Sequence, residues 1–249
     1  MATLDECMAY PRVDPRHTAL FLDIDGTLLD FADTPDAACV PARLTRTLEL
    51  LHGAMSGALA FVSGRSLASI DALFAPSIFP AVGCHGAEIR MPGGNVWHAD
   101  ALPETVRRQL ADLPVKLPGL IVEDKRYALA LHYRRAPQIA AALMAAIREI
   151  LHPGDGIQMQ EGKRVFDVKW AGVDKGTGLR TLMRHEPFRQ RSVLFGGDDI
   201  TDHDVFRILP ALGGTGFSVG HKIAGAQYEF ADPRAVREWL AQLAARESK

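Results

Sequence analysis

Short apolar runs that stop at polar or glycine-bearing turns alternate along this chain with segments of helical period, and no other feature constrains the fold as strongly. The alternation predicts a parallel sheet with crossover helices. Strands are expected over residues 19–22, 59–62 and near 80–83. Helices are expected over residues 41–55 and 66–74. In the first helix Leu44, Leu48 and Leu51 fall at spacings of four and three, and Pro41 suits the first helical position. A hairpin should follow, with residues 88–91 and 96–98 flanking Pro92-Gly93-Gly94-Asn95.

From about Ala101 the order changes to helix (104–113), strands (120–123 and 127–133), helix (137–151) and strands (156–160 and 164–169). That αββαββ order predicts a small antiparallel sheet with helices on one face, a unit distinct from its flanks. The first pattern then resumes with a helix at 175–183, a strand at 192–195, a helix near 202–209, a strand at 215–219 and a last helix at 233–245. The expected fold class is therefore α/β, a Rossmann-like core with a parallel sheet plus an inserted α+β domain. Its expected boundaries are 17–100 and 171–249 for the core and 101–170 for the insert.

Lys and Arg number 28 against 30 Asp and Glu, a formal net charge of −2, and no basic run breaks that balance. This excludes a polyanion-binding chain, so neither nucleic acid nor an anionic membrane surface is an expected partner. With 249 residues, 47% of them hydrophobic, one large or two smaller cores are affordable. Cys7, Cys39 and Cys84 are odd in number and scattered, which suits free thiols in a reducing compartment. The first seventeen residues carry Asp5, Glu6, Arg12 and Asp14 without an apolar stretch, and the longest apolar run, 139–147, is half of what a membrane span needs. A cytoplasmic location is expected.

Two acidic loops carry the functional signal. Asp23-Ile24-Asp25-Gly26-Thr27 follows the first strand, and ligands of open parallel sheets bind outside the carboxyl ends of strands. Two carboxylates so close repel unless a cation lies between them, and a hard divalent ion with oxygen ligands satisfies both. Gly196-Gly197-Asp198-Asp199-Ile200-Thr201-Asp202 follows the strand at 192–195 in the same way. If the two strands are central and parallel, their carboxylates converge into a site suited to Mg²⁺. A helix cap accounts for Thr201 or Asp202 but leaves Asp198 and Asp199 unexplained.

Val62-Ser63-Gly64-Arg65-Ser66 closes one strand and opens a helix, so the Ser63 hydroxyl and the free N–H groups form an anion site. Lys175 opens another helix, where the macrodipole favours negative charge, and an anionic partner would resolve that conflict. Acids, a metal, a hydroxyl, a lysine and helix N-termini are the parts of phosphoryl transfer, and no Walker pattern is present. A carboxylate can itself be the nucleophile.

In order and spacing, Asp23-Ile24-Asp25-Gly26-Thr27, Ser63, Lys175 and Gly197-Asp198-Asp199 resemble the four motifs of the haloacid-dehalogenase-like phosphohydrolases. Within that superfamily the chain is similar to the trehalose-6-phosphate phosphatase family. The closer resemblance rests on Phe61 to Arg65, Gly83 to Glu88, Val122 to Lys125, Leu129 to Arg134 and Gly197 to Asp202, and it runs from about His17 to Leu243.

The resemblance implies an Mg²⁺-dependent phosphatase working through an aspartyl-phosphate. Asp23 would be the nucleophile and Asp25 the general acid and base; only the resemblance separates those roles. Mg²⁺ would sit on Asp23, the Asp25 carbonyl and Asp198. Ser63 and Lys175 would hold the phosphoryl oxygens, and Asp199 would orient the metal shell or Lys175. The insert would be a cap that closes over the sugar, excluding water and selecting the leaving group. Thr27, Arg65, Glu123, Lys125, His132, Arg134 and Asp167 would bind substrate, a small-molecule sugar phosphate, on a monomeric protein. Asp167 stands where the family pattern has glutamate, Trp170 where proline is common and His203 where an acid is common.

His85 is expected to pack near the sheet without acting as a base, and His98, His152 and His185 lack paired ligand spacing. A phospho-acceptor signalling module also uses an acidic cluster with a lysine, but it is shorter and needs no insert.

Overall fold

The computed structural model describes residues 10–30, 38–162 and 164–247, so Cys7, Asp5 and Glu6 lie outside the described residues. Chain order gives β1 (Thr18–Leu22), α1 (Ala42–Ala54), β2 (Leu59–Val62), α2 (Leu67–Phe74), β3 (Ala81–Gly83), β4 (Glu88–Arg90) and β5 (Val96–His98). It continues with α3 (Glu104–Ala111), α4 (Leu113–Lys116), β6 (Ile121–Asp124), β7 (Ala128–His132), α5 (Ala140–Ile150), β8 (Ile157–Gly162) and β9 (Val165–Trp170). The last stretch holds α6 (Lys175–Leu182), β10 (Ser192–Gly197), α7 (His203–Phe206), β11 (Thr215–Val219), β12 (Tyr228–Phe230) and α8 (Pro233–Glu247).

Eight strands form one sheet in the order β12-β11-β10-β1-β2-β3-β4-β5. From β12 to β3 every pairing is parallel, and β4 pairs antiparallel with β3. β1 is buried along its whole length, as its continuous apolar run requires of a central parallel strand. The leucine stripe of α1 is buried as expected, each side chain contributing on the order of 1.5–3 kcal/mol. Apolar residues of α1, α2, α6, α7 and α8 join the strands in one core.

Residues 98–173 form a second compact unit, and those up to 97 with those from 174 onward form the first. The second unit has its own antiparallel sheet, β6-β7-β9-β8. Register places Val122, Leu131 and Phe166 in one row, with Leu129 and Val168 on the same face. That face shares a core with Val106 and Leu110 of α3 and Leu143 and Ile147 of α5. The opposite face, by the alternation of a strand, carries the row Glu123, Ala130, Asp167 and Gln160.

Some local expectations need correction. Pro41 is the N-cap and not the first helical residue, because its ψ of 133° is extended. The helix expected at 104–113 ends at Ala111, and a separate turn of helix, with a proline in its first turn, starts at Leu113. The helix expected near 202–209 is a 3-10 turn at Ile200–Asp202 followed by the single turn of α7. β10 runs two residues further than its apolar letters, since Gly196 and Gly197 keep the ladder to β11. β12 was unexpected because its three residues bury only Phe230. No described helix is long and apolar enough to cross a membrane.

Candidate active site

β1 lies between β10 and β2, with Leu22 opposite both Gly196 and Phe61. Three adjacent parallel strands therefore end together, and the residues that follow them are Asp198, Asp23 and Ser63. The two acidic loops, about 170 residues apart in the chain, meet at one edge: Thr27 Oγ1 donates to Asp198 Oδ1 at 3.0 Å.

Lys175 is only 2% exposed. It enters the site because Asp174 caps α6, accepting from the Thr177 N–H at 2.7 Å while Thr177 Oγ1 is within reach of the Asp174 N–H. Its Nζ donates to Asp23 Oδ1 at 3.0 Å and to Asp202 Oδ1 at 2.7 Å. The anionic partner expected at this helix N-terminus is thus a pair of carboxylates from two loops. Burial works against the ammonium charge, but Asp202 and Asp23 outweigh it and hold the Lys175 pKa above its ordinary value.

Asp202 is fully buried, and its Oδ2 accepts the backbone N–H groups of Asp198 at 2.9 Å and Asp199 at 3.0 Å. That close approach needs Gly197, where a Cβ would lie 2.5 Å from Asp202 Cγ. The acid that reaches Lys175 is therefore Asp202; the resemblance implied Asp199 for orienting either the metal shell or Lys175. Asp199 is exposed and caps the 3-10 turn, accepting the Ile200 N–H at 2.6 Å. The missed signal was the four-residue spacing of Asp198 and Asp202, which one helical turn brings to a common side.

Carboxylate oxygens of Asp23, Asp198 and Asp202 lie within 4.8 Å of one another, all buried. Burial, with Asp202 adding to it, raises the Asp198 pKa to about 7. Burial also raises Asp23 well above the usual carboxylate range; Lys175 opposes this, and Asp202 and Asp198 reinforce it. One lysine does not neutralise three acids, so a divalent cation fits this donor set. Both Asp202 oxygens are already engaged, which leaves Asp23 and Asp198 as its side-chain ligands.

Asp25 is held by Arg65, whose Nε and Nη2 each donate at 2.6 Å to separate carboxylate oxygens. Arg65 Nη1 also reaches Ser69 Oγ at 3.2 Å, and the Arg65 N–H donates to Ser63 Oγ at 3.2 Å. Arg65, expected on the substrate, is thus engaged with Asp25. Ser63 is buried at the end of β2.

The remaining expected residues lie in the second unit. His132 Nε2 and Glu123 Oε2 are 3.0 Å apart, and Lys125 Nζ is 3.8 Å from the same oxygen. The His132 hydrogen bond lowers the Glu123 pKa, while burial raises that of Asp167 against the charges of Lys125 and Lys169. Arg134 is exposed beyond β7. Of the discounted histidines, His98 packs on Tyr127 and lies 2.8 Å from its hydroxyl.

The trehalose-phosphatase family model matches residues 21–228. Trehalose-6-phosphate phosphatase of Escherichia coli is 38% identical over 226 residues, covering 89% of this chain and 85% of that protein. The C-terminal domain of Candida albicans trehalose-6-phosphate phosphatase superposes with a TM-score of 0.75 at 23% identity, covering 92% of each chain. A phosphatase of the haloalkanoate (HAD) enzyme superfamily from Bacteroides thetaiotaomicron has a TM-score of 0.63 at 18% identity over 96% of this chain and 98% of that one, a likeness of fold.

Proposed function

Since this chain belongs to the trehalose-phosphatase family and is a phosphoric monoester hydrolase, we propose that it hydrolyses trehalose 6-phosphate through an aspartyl-phosphate on Asp23 with Mg²⁺ as its metal. The observation that carries this reading is the buried Lys175 between Asp23 and Asp202 at the end of three parallel strands. A lysine so placed fixes one Asp23 oxygen and leaves the other for in-line attack on phosphorus.

The Asp23 carboxylate forms the new O–P bond as the bond from phosphorus to the sugar oxygen breaks. Asp25, released from the Arg65 fork that engages both its oxygens and carrying a proton, gives that proton to the leaving oxygen and then takes one from the water that opens the aspartyl-phosphate, which returns Asp23 and releases phosphate. Ser63 and Lys175 hold the phosphoryl oxygens. Asp23, Asp198 and the Asp25 carbonyl would hold Mg²⁺, which supplies positive charge to the phosphoryl oxygens when bound. Asp202 acts on Lys175 and on the loop that carries Asp198. The inserted unit acts as a cap over the sugar, its polar sheet face offering Glu123, Lys125, His132, Arg134 and Asp167 to hydroxyl groups.

Phosphate release with Mg²⁺ across trehalose, glucose, mannose and sucrose 6-phosphates tests the substrate. A tenfold preference for the trehalose ester in kcat/KM, about 1.4 kcal/mol, is expected. A smaller preference favours a second reading, another sugar phosphate of the same class. Asp167 supports that second reading, being one methylene shorter than the glutamate of the family pattern.

A further inference from the structure

We propose that the Cys84–His85 turn is a positioning element of the phosphoryl site, locking the Ser63 loop to the N-terminus of α6. The proposal rests on the phosphatase reading for the roles of Ser63 and Lys175, but the contacts themselves are independent of it.

Cys84 and His85 have φ of +46° and +53°, two consecutive side-chain-bearing residues in the left-handed region. Such backbone is uncommon outside glycine and persists only where its surroundings hold it. Here they do so on two sides. The left-handed pair aims two successive N–H groups at one loop: Cys84 donates to the Arg65 carbonyl at 2.8 Å and His85 to the Ser63 carbonyl at 3.1 Å. The His85 ring then covers Gly64, where an added Cβ would lie 2.5 Å from both Cε1 and Nε2. Gly86, at φ +107°, presses on the chain before Lys175, and a Cβ there would lie 2.3 Å from the Asp174 carbonyl.

One short turn therefore touches every residue of Ser63-Gly64-Arg65 and also the cap of the helix that presents Lys175. Ser63 and Lys175 lie on separate elements and must hold one phosphoryl group between them. A displacement of about 1 Å between such groups costs on the order of a hundredfold in rate. His85 acts here through its backbone and ring volume, which makes it a positioning residue.

The test replaces His85 by Gly, Asn, Ala and Val in the full chain, and separately makes Gly64→Ala alone and with His85→Gly. Turnover of trehalose 6-phosphate is read as kcat and KM, inhibition by inorganic phosphate reports the phosphoryl site, and melting temperature reports the fold. Activity should follow ease of the left-handed backbone: Gly and Asn within about threefold of the parent, Ala about tenfold down and Val at least about thirtyfold down. Phosphate inhibition should weaken in the same order. Gly64→Ala should lose at least about tenfold, and removing the ring by His85→Gly should restore it. If the Val chain does not fold, the other substitutions and the double variant decide.

Equal loss in all four His85 variants would assign the imidazole a chemical role and overturn the proposal. So would full activity of His85→Val or of Gly64→Ala, or unchanged phosphate inhibition with a falling kcat. A parent chain that hydrolyses no sugar phosphate would defeat the functional reading alone. Calorimetric binding of inorganic phosphate with Mg²⁺ to the same variants would then decide the positioning.

Discussion

Two clusters of ionisable residues stand out in this protein, and they differ in burial and in how far apart in the chain their members lie. The cluster at the end of β1 and β10 joins residues up to 179 apart in the chain and is almost wholly buried: Asp23, Lys175, Asp198 and Asp202 are each at most 6% exposed. The cluster on the sheet of the second unit draws Glu123, His132 and Asp167 from neighbouring strands and Lys125 from the turn after β6, and its Glu123 and His132 side chains remain about half open to solvent. Buried charges are retained only when geometry compensates them, so each member of the first cluster depends on the others. Exposed pairs are worth little to stability, so the second cluster is free to reorganise around a ligand. On the proposed reading, chemistry belongs to the first and recognition to the second.

The strongest way to break that contrast is Asp23→Asn, which is expected to abolish phosphate release, by at least about 10³-fold, while the circular dichroism spectrum stays native. Retained turnover would remove Asp23 as nucleophile. Lys175→Met strands two buried carboxylates and should cost about 3–5 kcal/mol of stability by denaturant titration, together with activity. Asp202→Asn should lower both in the same direction. Asp199→Ala, removing an exposed cap, should cost only about 1 kcal/mol; a reversal of that ranking would return Asp199 to the lysine.

On the proposed reading, proton and metal compete for the first cluster. Burial, with Asp202 adding to it, raises the Asp198 pKa from the ordinary carboxylate range to about 7 on folding, so between those values the folded chain binds more protons. The Asp198 contribution to stability is present at acidic pH and is lost as pH rises through about 7. The metal-free protein should therefore melt lower at pH 8 than at pH 6, and saturating Mg²⁺ should raise the pH 8 value more. A metal-free melting temperature that rises between those pH values would contradict the burial argument.

In the second cluster the expected effects are smaller and of another kind. Glu123→Gln should raise KM by roughly tenfold with kcat little altered and stability within about 1 kcal/mol, as uniform binding loss predicts. Asp167→Glu should leave trehalose 6-phosphate turnover unchanged or improve it; a large loss would mark the position as adapted to another sugar phosphate.

Strands of the central sheet were legible because a strand buried on both faces must be a continuous apolar run, as residues 19–22 and 59–62 are. β12 was not, since Tyr228-Glu229-Phe230 buries one side chain and draws its stability from pairing with β11. The acidic loops could be read as a site from their place after such runs. Which acid faces Lys175 could not, because the sequence offers Asp202 as a helix cap and leaves Asp199 without a local role, whereas in the fold Asp199 caps the 3-10 turn and Asp202 turns to the lysine. The engagement of Arg65 by Asp25 was hidden for the same reason: forty residues separate them, and β1 and β2 had to pair first.

By itself, then, the sequence determined the alternation of buried strands and amphipathic helices, the interruption by an αββαββ unit, and which loops carry acid, hydroxyl and lysine. Those properties are local, set by apolar period and by what each residue does to its neighbours in the chain. The tertiary structure decided partnership: Asp202 on Lys175, Arg65 on Asp25, the Cys84–His85 turn against Ser63 and Asp174. A buried charge or a strained backbone takes its partner from whichever distant segment the sheet order delivers, and strand order is fixed only when the whole core closes.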